Sequence, residues 1–230
     1  MGDYEYTKGK VLDLKAEQEK TLAAPVLPAN VALRLMYVTF DVLYGAKRTL
    51  PKLKALEILA RYPYWAWENG SYLRLSRGYA RAEYTDRGLS ETALRHIDLG
   101  RHAQDNEQAH LMLIEDIMRQ KNMPQGWLRA SLMPRLLAFG YYYFTRALYR
   151  VRPQWSFAMN AAFESHAEHE YMKMAKENPA WDDEPVDSAY FAYYPRQKSL
   201  ADLLRRIALD ERDHKNAALE ELERLGSPGG

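Results

Sequence analysis

Two copies of Glu-x-x-His stand about a hundred residues apart in this chain, Glu107-Gln-Ala-His110 and Glu211-Arg-Asp-His214. Each lies inside a long helical pattern. Positions i and i+3 of a helix share a face, so each pair offers one carboxylate and one imidazole to a single point. Two such pairs, completed by one glutamate from each of two further helices, make the ligand set of a di-metal carboxylate site in a four-helix bundle. A single copy would carry little weight, because charged surface helices produce the spacing by chance. Here apolar residues flank both: Ala109, Leu111 and Leu113 beside the first, Ile207, Ala208 and Ala217 beside the second. Unpaired Glu and His are costly in such surroundings, and coordination is the simplest way to satisfy them.

The third set of ligands is sought in SFAMNAAFESHAEHEYMKMAKE, which offers Glu164, Glu168 and Glu170. Glu164 follows the most apolar stretch and suits a buried carboxylate. Glu168 and Glu170 lie toward the charged end and are expected to be solvated. His166 and His169 stand close by, either as donors that support a ligand or as ordinary half-buried histidines. The fourth ligand must come from the segment that begins near Leu50, where Glu57 and Glu68 compete. Eleven residues separate them, so they share a face but lie about 16 Å apart along the axis, and only one can belong. A symmetric hairpin favours Glu68, which stands as far before Thr85 as Glu107 stands beyond Ser90.

The elements that must position these groups follow from punctuation and period. Asn30 caps VALRLMYVTFDVLY, which stops at Gly45. A second helix runs from about Leu50 into the 70s, with Pro63 inside it as an expected kink. Arg87-Gly88-Leu89-Ser90 reads as a turn, with Ser90 capping a third helix that ends before Pro124. SLMPRLLAFGYYYFTRALYR, SFAMNAAFESHAEHEYMKMAKE and, after Ser199, LADLLRRIALDERDHKNAALEELERL complete six long helices. The segment between the last two, rich in Pro, Asp and Tyr, reads as loop. The expected fold is all-α: a ferritin-like four-helix bundle with two additional long helices. The expected organisation is a polar N-terminal arm (1–28), a helical bundle domain (29–225) and a disordered tail (226–230).

Composition narrows the chemistry. The 230 residues carry a formal net charge of +1, which argues for no nucleic-acid partner, and no cysteine, which removes thiolate and iron–sulfur sites. Oxygen and imidazole ligands suit iron or manganese. The polar start has no apolar core of a secretory signal, and no stretch is long enough to span a bilayer.

Together these segments resemble the alternative oxidases, di-iron quinol oxidases. Leu56-Glu57-Ile58 with Tyr62-Pro63-Tyr64 resembles the family's Leu-Glu-Thr and Val-Pro-Gly. Asn106-Glu107-Gln108-Ala109-His110-Leu111 resembles Asn-Glu-Arg-Met-His-Leu. Phe163-Glu164-Ser165-His166-Ala167 with His169-Glu170-Tyr171 resembles Leu-Glu-Glu-Glu-Ala and His-x-Tyr. Residues Ala208 to His214 resemble Arg-Ala-Asp-Glu-Ala-x-His, and Phe40-Asp41 with Gly45 resembles Phe-Asp-x-x-x-Gly. The departures are Ser165 and His166 for two glutamates, Ala208 for the arginine, Phe191-Ala192 for a Tyr-Trp pair and Lys52 for an arginine.

The resemblance implies two iron ions on Glu57, Glu107, His110, Glu164, Glu211 and His214, so it selects Glu57 over Glu68. It implies Tyr171 as the redox-active tyrosine, with Asn106 and Asp210 orienting histidines from the opposite helix and His169 as a further supporting group. It implies a quinol pocket lined by Asp41, Lys52, Leu56, Phe163 and Ala167. The expected activity is non-proton-pumping transfer of electrons from quinol to O2, giving water. The helix after Asn30 and SLMPRLLAFGYYYFTRALYR, both edged by Lys and Arg, are candidates for attachment to one face of a membrane, on the cytoplasmic side in a bacterium. A homodimer through the second and third helices is implied as well. The competing expectation is a soluble di-iron oxygenase or hydroxylase acting on an organic substrate.

Overall fold

A computed structural model describes residues 4–80 and 87–226. Among these, seven α-helices follow in order: α1 (Leu14–Ala23), α2 (Val31–Tyr44), α3 (Leu50–Ala80), α4 (Arg87–Gln120), α5 (Met133–Val151), α6 (Pro153–Glu177) and α7 (Leu200–Arg224). The expected all-α fold holds. Helices α3, α4, α6 and α7 make the bundle, and α2 and α5 pack against it. One core cluster joins Ile114 of α4, Met172 of α6 and Leu203, Leu204 and Ile207 of α7. A second joins Leu33 and Phe40 of α2, Leu59 of α3, Ala138 of α5 and Phe163 and Ala167 of α6.

Local chemistry sets the helix ends. The Asn30 Oδ1 accepts the Leu33 N–H at 2.9 Å, and the Ser199 Oγ accepts the Asp202 N–H at 3.1 Å. Such caps contribute about 1 kcal/mol each. Gly45 closes α2 at φ +87°, a conformation that costs a side-chain-bearing residue. Buried positions of α7 at Leu200, Leu203, Leu204, Ile207, Glu211 and Ala218 follow the helical period, so the stripe that fills the core also carries Glu211 inward.

Several expectations change. The described part of the expected polar arm, residues 4–28, is docked on the bundle. Residues 4–8 run along α7, where the Thr7 N–H donates to Asp213 Oδ1 at 2.7 Å and Asn216 Nδ2 donates to the Glu5 carbonyl at 3.0 Å. Helix α1 then crosses α6 and α7, its Gln18 Nε2 donating to the Met172 carbonyl at 2.6 Å. The turn expected at Arg87–Ser90 is already helix, so Ser90 is not a cap. Helix α3 is continuous through Pro63. Beyond Gly226 the expected tail lies outside the described residues. At 1.5 Å per residue α3 and α4 reach roughly 46 and 51 Å, longer than the bundle needs. They approach closely at Gly100, where a Cβ would meet the Tyr64 carbonyl oxygen at 2.8 Å.

Candidate metal centre

Four antiparallel helices bring six side chains to one buried point. Ligand atoms of Glu57, Glu107, His110 and Glu211 all lie within 4.8 Å of one another, as do those of Glu107, Glu164, Glu211 and His214. The sets share Glu107 and Glu211, which therefore stand between two adjacent positions. Glu57 and Glu164 each belong to one set. The His110 Nδ1 is 3.4 Å from Glu57 Oε2, 3.6 Å from Glu107 Oε2 and 3.3 Å from Glu211 Oε1. The His214 Nδ1 is 2.9 Å from Glu107 Oε1 and 3.3 Å from Glu211 Oε2.

The donor set fits a pair of cations. Both oxygens of Glu107, one oxygen each of Glu57, Glu164 and Glu211, and the Nδ1 of His110 are buried without a hydrogen-bond partner. Protein interiors leave very few such atoms unsatisfied, and here they converge. Burial, then the charge of Glu107, pushes Glu57 up to about 8. Burial, then Glu211 and Glu107, holds Glu164 well above the usual carboxylate range. Burial pulls both histidines down, but the neighbouring oxygens outweigh it and raise both: Tyr194, Asp210, Glu107 and Glu211 around His110, Glu107 and Glu211 around His214. Protons thus take the place that cations suit better, in a shell of hard oxygen and imidazole donors.

The centre has an approximate twofold plan. Helices α3 and α6 each carry a glutamate with a tyrosine seven residues on, and because they run antiparallel each tyrosine meets the other helix's glutamate. Tyr171 Oη donates to Glu57 Oε1. Tyr64 Oη donates to Glu164 Oε1 at 2.6 Å, and Asn160 Nδ2 reaches the same oxygen at 3.1 Å. Tyr64 and Tyr171 are both fully buried. Tyr64 was not singled out in the sequence, although it stands from Glu57 at the same offset as Tyr171 from Glu164.

The outer contacts break the symmetry. Asp210 Oδ2 lies 3.2 Å from His110 Nε2, as expected of a group that orients the ring. Tyr194 Oη and Arg206 Nη2 in turn donate to Asp210. Burial raises Asp210, but His110 and Arg206 outweigh it and hold the carboxyl well below its ordinary range. Asn106, the equivalent on α4, is half-buried, and no hydrogen bond ties its side chain to His214 among the described residues. His169 is not a supporting group of the centre either. Its Nε2 meets the Ala24 carbonyl at 3.0 Å and its Nδ1 the Ser165 carbonyl at 2.8 Å, so it fastens α1 to α6.

The rejected glutamates have other partners. Glu68 pairs with Arg101 at 2.9 Å and accepts from Gln104 Nε2 at 2.9 Å, near the surface. Glu168 is buried rather than solvated. It accepts from Arg212 Nε at 2.9 Å, Lys215 Nζ at 2.6 Å and Thr21 Oγ1 at 2.8 Å.

Beside the centre lies a cavity of about 320 Å³, lined among others by Tyr37, Asp41, Arg48, Lys52, Leu56 and His166. Asp41, Lys52 and Leu56 are thus where the quinol pocket was expected. Lys52 Nζ donates to Asp41 and, at 3.2 Å, to the Gly45 carbonyl. Phe163 and Ala167 are not on its wall; they are fully buried behind it, in the core cluster that contains Leu56. His166 stacks on Tyr37 with ring centroids 4.0 Å apart.

The sequence model of the alternative oxidase family matches residues 13–220. No curated protein matches the chain.

Proposed function

Because the chain belongs to the alternative oxidase family, we propose that it is a quinol oxidase, passing electrons from a quinol to O2 at a two-iron centre without pumping protons. The observation that carries this reading is the adjacency of cavity and centre. Leu56 lines the cavity, its neighbour Glu57 belongs to the ligand cluster, and Tyr171 bonds Glu57. Two quinols and one O2 balance to two quinones and two waters.

Glu57, Glu107, His110 and Glu211 would hold one ion, and Glu107, Glu164, Glu211 and His214 the other. Iron bound there would supply two electrons and offer open positions for O2. The four carboxylates formally match the charge of two divalent ions. Asp210 fixes the His110 ring by accepting from its Nε2–H. Tyr171 supplies a further electron, its Oη proton passing toward Glu57 Oε1. In the cavity, Lys52 and Asp41 would meet the quinol hydroxyls, while Phe40, Leu53 and Leu56 face its ring.

A lipid-soluble substrate needs a membrane, and two helices present the surface for one. Val31, Leu35, Val38 and Val42 stand exposed along α2, and Leu136, Phe139, Tyr143 and Phe144 along α5. Arg34, Lys47, Arg129 and Arg135 are exposed around them. No described helix is long and apolar enough to cross a membrane. The reading is therefore attachment to one leaflet, with apolar faces in the acyl region and basic residues at the headgroups. Tyr37, Phe40 and Asp41 place the cavity against α2, so a quinol would enter from the lipid. A second copy would dock along α3 and α4.

The test is oxygen uptake by the iron-loaded protein on vesicles containing quinol. Quinol-dependent uptake that cyanide does not block supports the reading. Uptake that requires another organic substrate, with no quinol turnover, sinks it.

A further inference from the structure

A second buried polar cluster joins helices α3, α4, α5 and α7. His96 of α4 is fully buried. Its Nδ1 lies 2.6 Å from Tyr149 Oη of α5, and its Nε2 lies 2.9 Å from Glu221 Oε2 of α7. Tyr149 Oη is also 2.7 Å from Ser71 Oγ of α3. Arg95 donates to the other Glu221 oxygen. A carboxylate can only accept, so the His96 proton sits on Nε2. Nδ1 then accepts from Tyr149 Oη–H, and Ser71 donates to the phenol oxygen. Every atom of the set has a partner, and the phenol faces a base backed by a carboxylate.

Aromatic rings connect this cluster to the metal centre. Tyr64, whose hydroxyl bonds the ligand Glu164, meets Trp67 edge-on with centroids 5.1 Å apart. Trp67 lies 4.2 Å from Phe157, which lies 4.9 Å from His96 and 6.2 Å from Tyr149. Trp67 is fully buried and Tyr149 nearly so. Gly70 makes room for the phenol ring, since a Cβ there would stand 2.8 Å from two of its carbons. Trp67 Nε1 donates to Ser156 Oγ of α6 at 2.7 Å, which fixes an oxidisable indole on the ring path from Tyr64 to Tyr149.

We propose that Tyr64, Trp67 and Tyr149 form an electron-transfer chain, through which the O2-oxidised metal centre draws one electron from Tyr149 while the Tyr149 Oη proton moves to His96 Nδ1. This rests on reading the centre as O2-reducing. The O–H bond of Tyr149 breaks and an N–H bond forms on His96. The centre is reduced by one electron, and Tyr149 becomes a neutral phenoxyl radical. Glu221 stabilises the imidazolium that results, and Ser71 keeps its hydrogen bond to the radical oxygen. Tyr64 and Trp67 relay the electron only. When quinol is scarce, the chain removes an oxidising equivalent from the centre and stores it on a buried ring. Arg95 and Glu221 also border a surface groove of about 240 Å³, which gives the stored proton an exit to solvent.

The test uses the full chain, loaded with iron, reduced without air and mixed with O2 in the absence of quinol, then frozen and examined by electron paramagnetic resonance. The expected result is a tyrosyl signal that changes shape when ring-deuterated tyrosine is incorporated. A component of it is lost in Tyr149→Phe and in Trp67→Phe, with iron content unchanged, and is retained in Tyr171→Phe. Trp67→Phe keeps a ring against Phe157, so it decides the matter even where Tyr149→Phe weakens the fold. The proposal is overturned if Trp67→Phe keeps the whole wild-type signal, if Tyr149→Phe does, or if the wild type oxidises its iron under O2 and yields no tyrosyl signal. Quinol turnover in a separate assay judges the proposed function on its own, because the radical experiment contains no quinol.

Discussion

Replacing Glu57 with Gln should stabilise the metal-free protein while destroying metal binding, and the size of the effect should depend on pH. In the unfolded chain this carboxyl ionises near 4.5, whereas in the fold burial and Glu107 push it up to about 8. Between those values the unfolded state releases a proton that the folded state keeps, so stability falls as pH rises through the window and levels off above it. At pH 7 the difference spans about 2.5 units, or about 3 kcal/mol at 1.36 kcal/mol per unit. For a chain of this size that is about 6–12 °C in melting temperature. Gln is nearly isosteric, and its amide oxygen can still accept from Tyr171 Oη. His110 and His214, both raised, add to the same downward trend with pH in either protein. The assay is thermal unfolding followed by circular dichroism, in chelator, at pH 5, 7 and 8. The variant should match the wild type near pH 5 and exceed it at pH 7. A variant that is less stable at every pH would show that the carboxyl carries no burial penalty, and the reasoning would fail.

Iron counting should separate the two candidate glutamates of α3. Glu57→Ala and Glu164→Ala are expected to bind fewer than two irons per chain. Glu68→Ala should bind the full complement and lose under about 1 kcal/mol with its surface pair to Arg101. Gly100→Ala puts a Cβ 2.8 Å from the Tyr64 carbonyl. It should cost about 1–3 kcal/mol and lower the melting temperature by several degrees, and an unchanged melting curve would refute the close crossing of α3 and α4. Leu35→Glu and Phe139→Glu, on the exposed faces of α2 and α5, should each weaken liposome binding about tenfold or more, for a loss of roughly 1.5–3 kcal/mol of apolar burial. Cosedimentation would show this, and variants that bind as the wild type does would remove α2 and α5 from the membrane surface.

What the sequence made legible follows the locality of each signal. The Glu-x-x-His pairs needed only the helix period, and the caps at Asn30 and Ser199 only their neighbours. The choice between Glu57 and Glu68 depended on how α3 and α4 meet. Hairpin symmetry pointed to Glu68 because it took Arg87–Ser90 as the turn; those residues already belong to α4, and in the pairing that results Glu68 meets Arg101 near the surface. Helix α1 was missed because LKAEQEKTLA has no apolar stripe. It docks through Leu14 and Leu22, packed on the core, and through hydrogen bonds of Gln18 and Thr21, and only Asp13, which caps it, gave a local sign. That omission explains two errors, since α1 supplies the partner of His169 and one partner of Glu168. Phe163 and Ala167, one turn apart on α6, belong to the core cluster with Leu33 and Phe40 of α2 and Leu56 and Leu59 of α3, and only the α2 and α3 side of that cluster reaches the cavity.

The central claim is that this buried Glu and His cluster spends the electrons of quinol on O2 and releases water. The most direct measurement supplies isotopically labelled O2 to the iron-loaded protein with quinol and follows the label. The account predicts two quinols oxidised per O2, with all label in water and no hydrogen peroxide. Label recovered in an organic product, or one quinol oxidised per O2 with peroxide released, would contradict it.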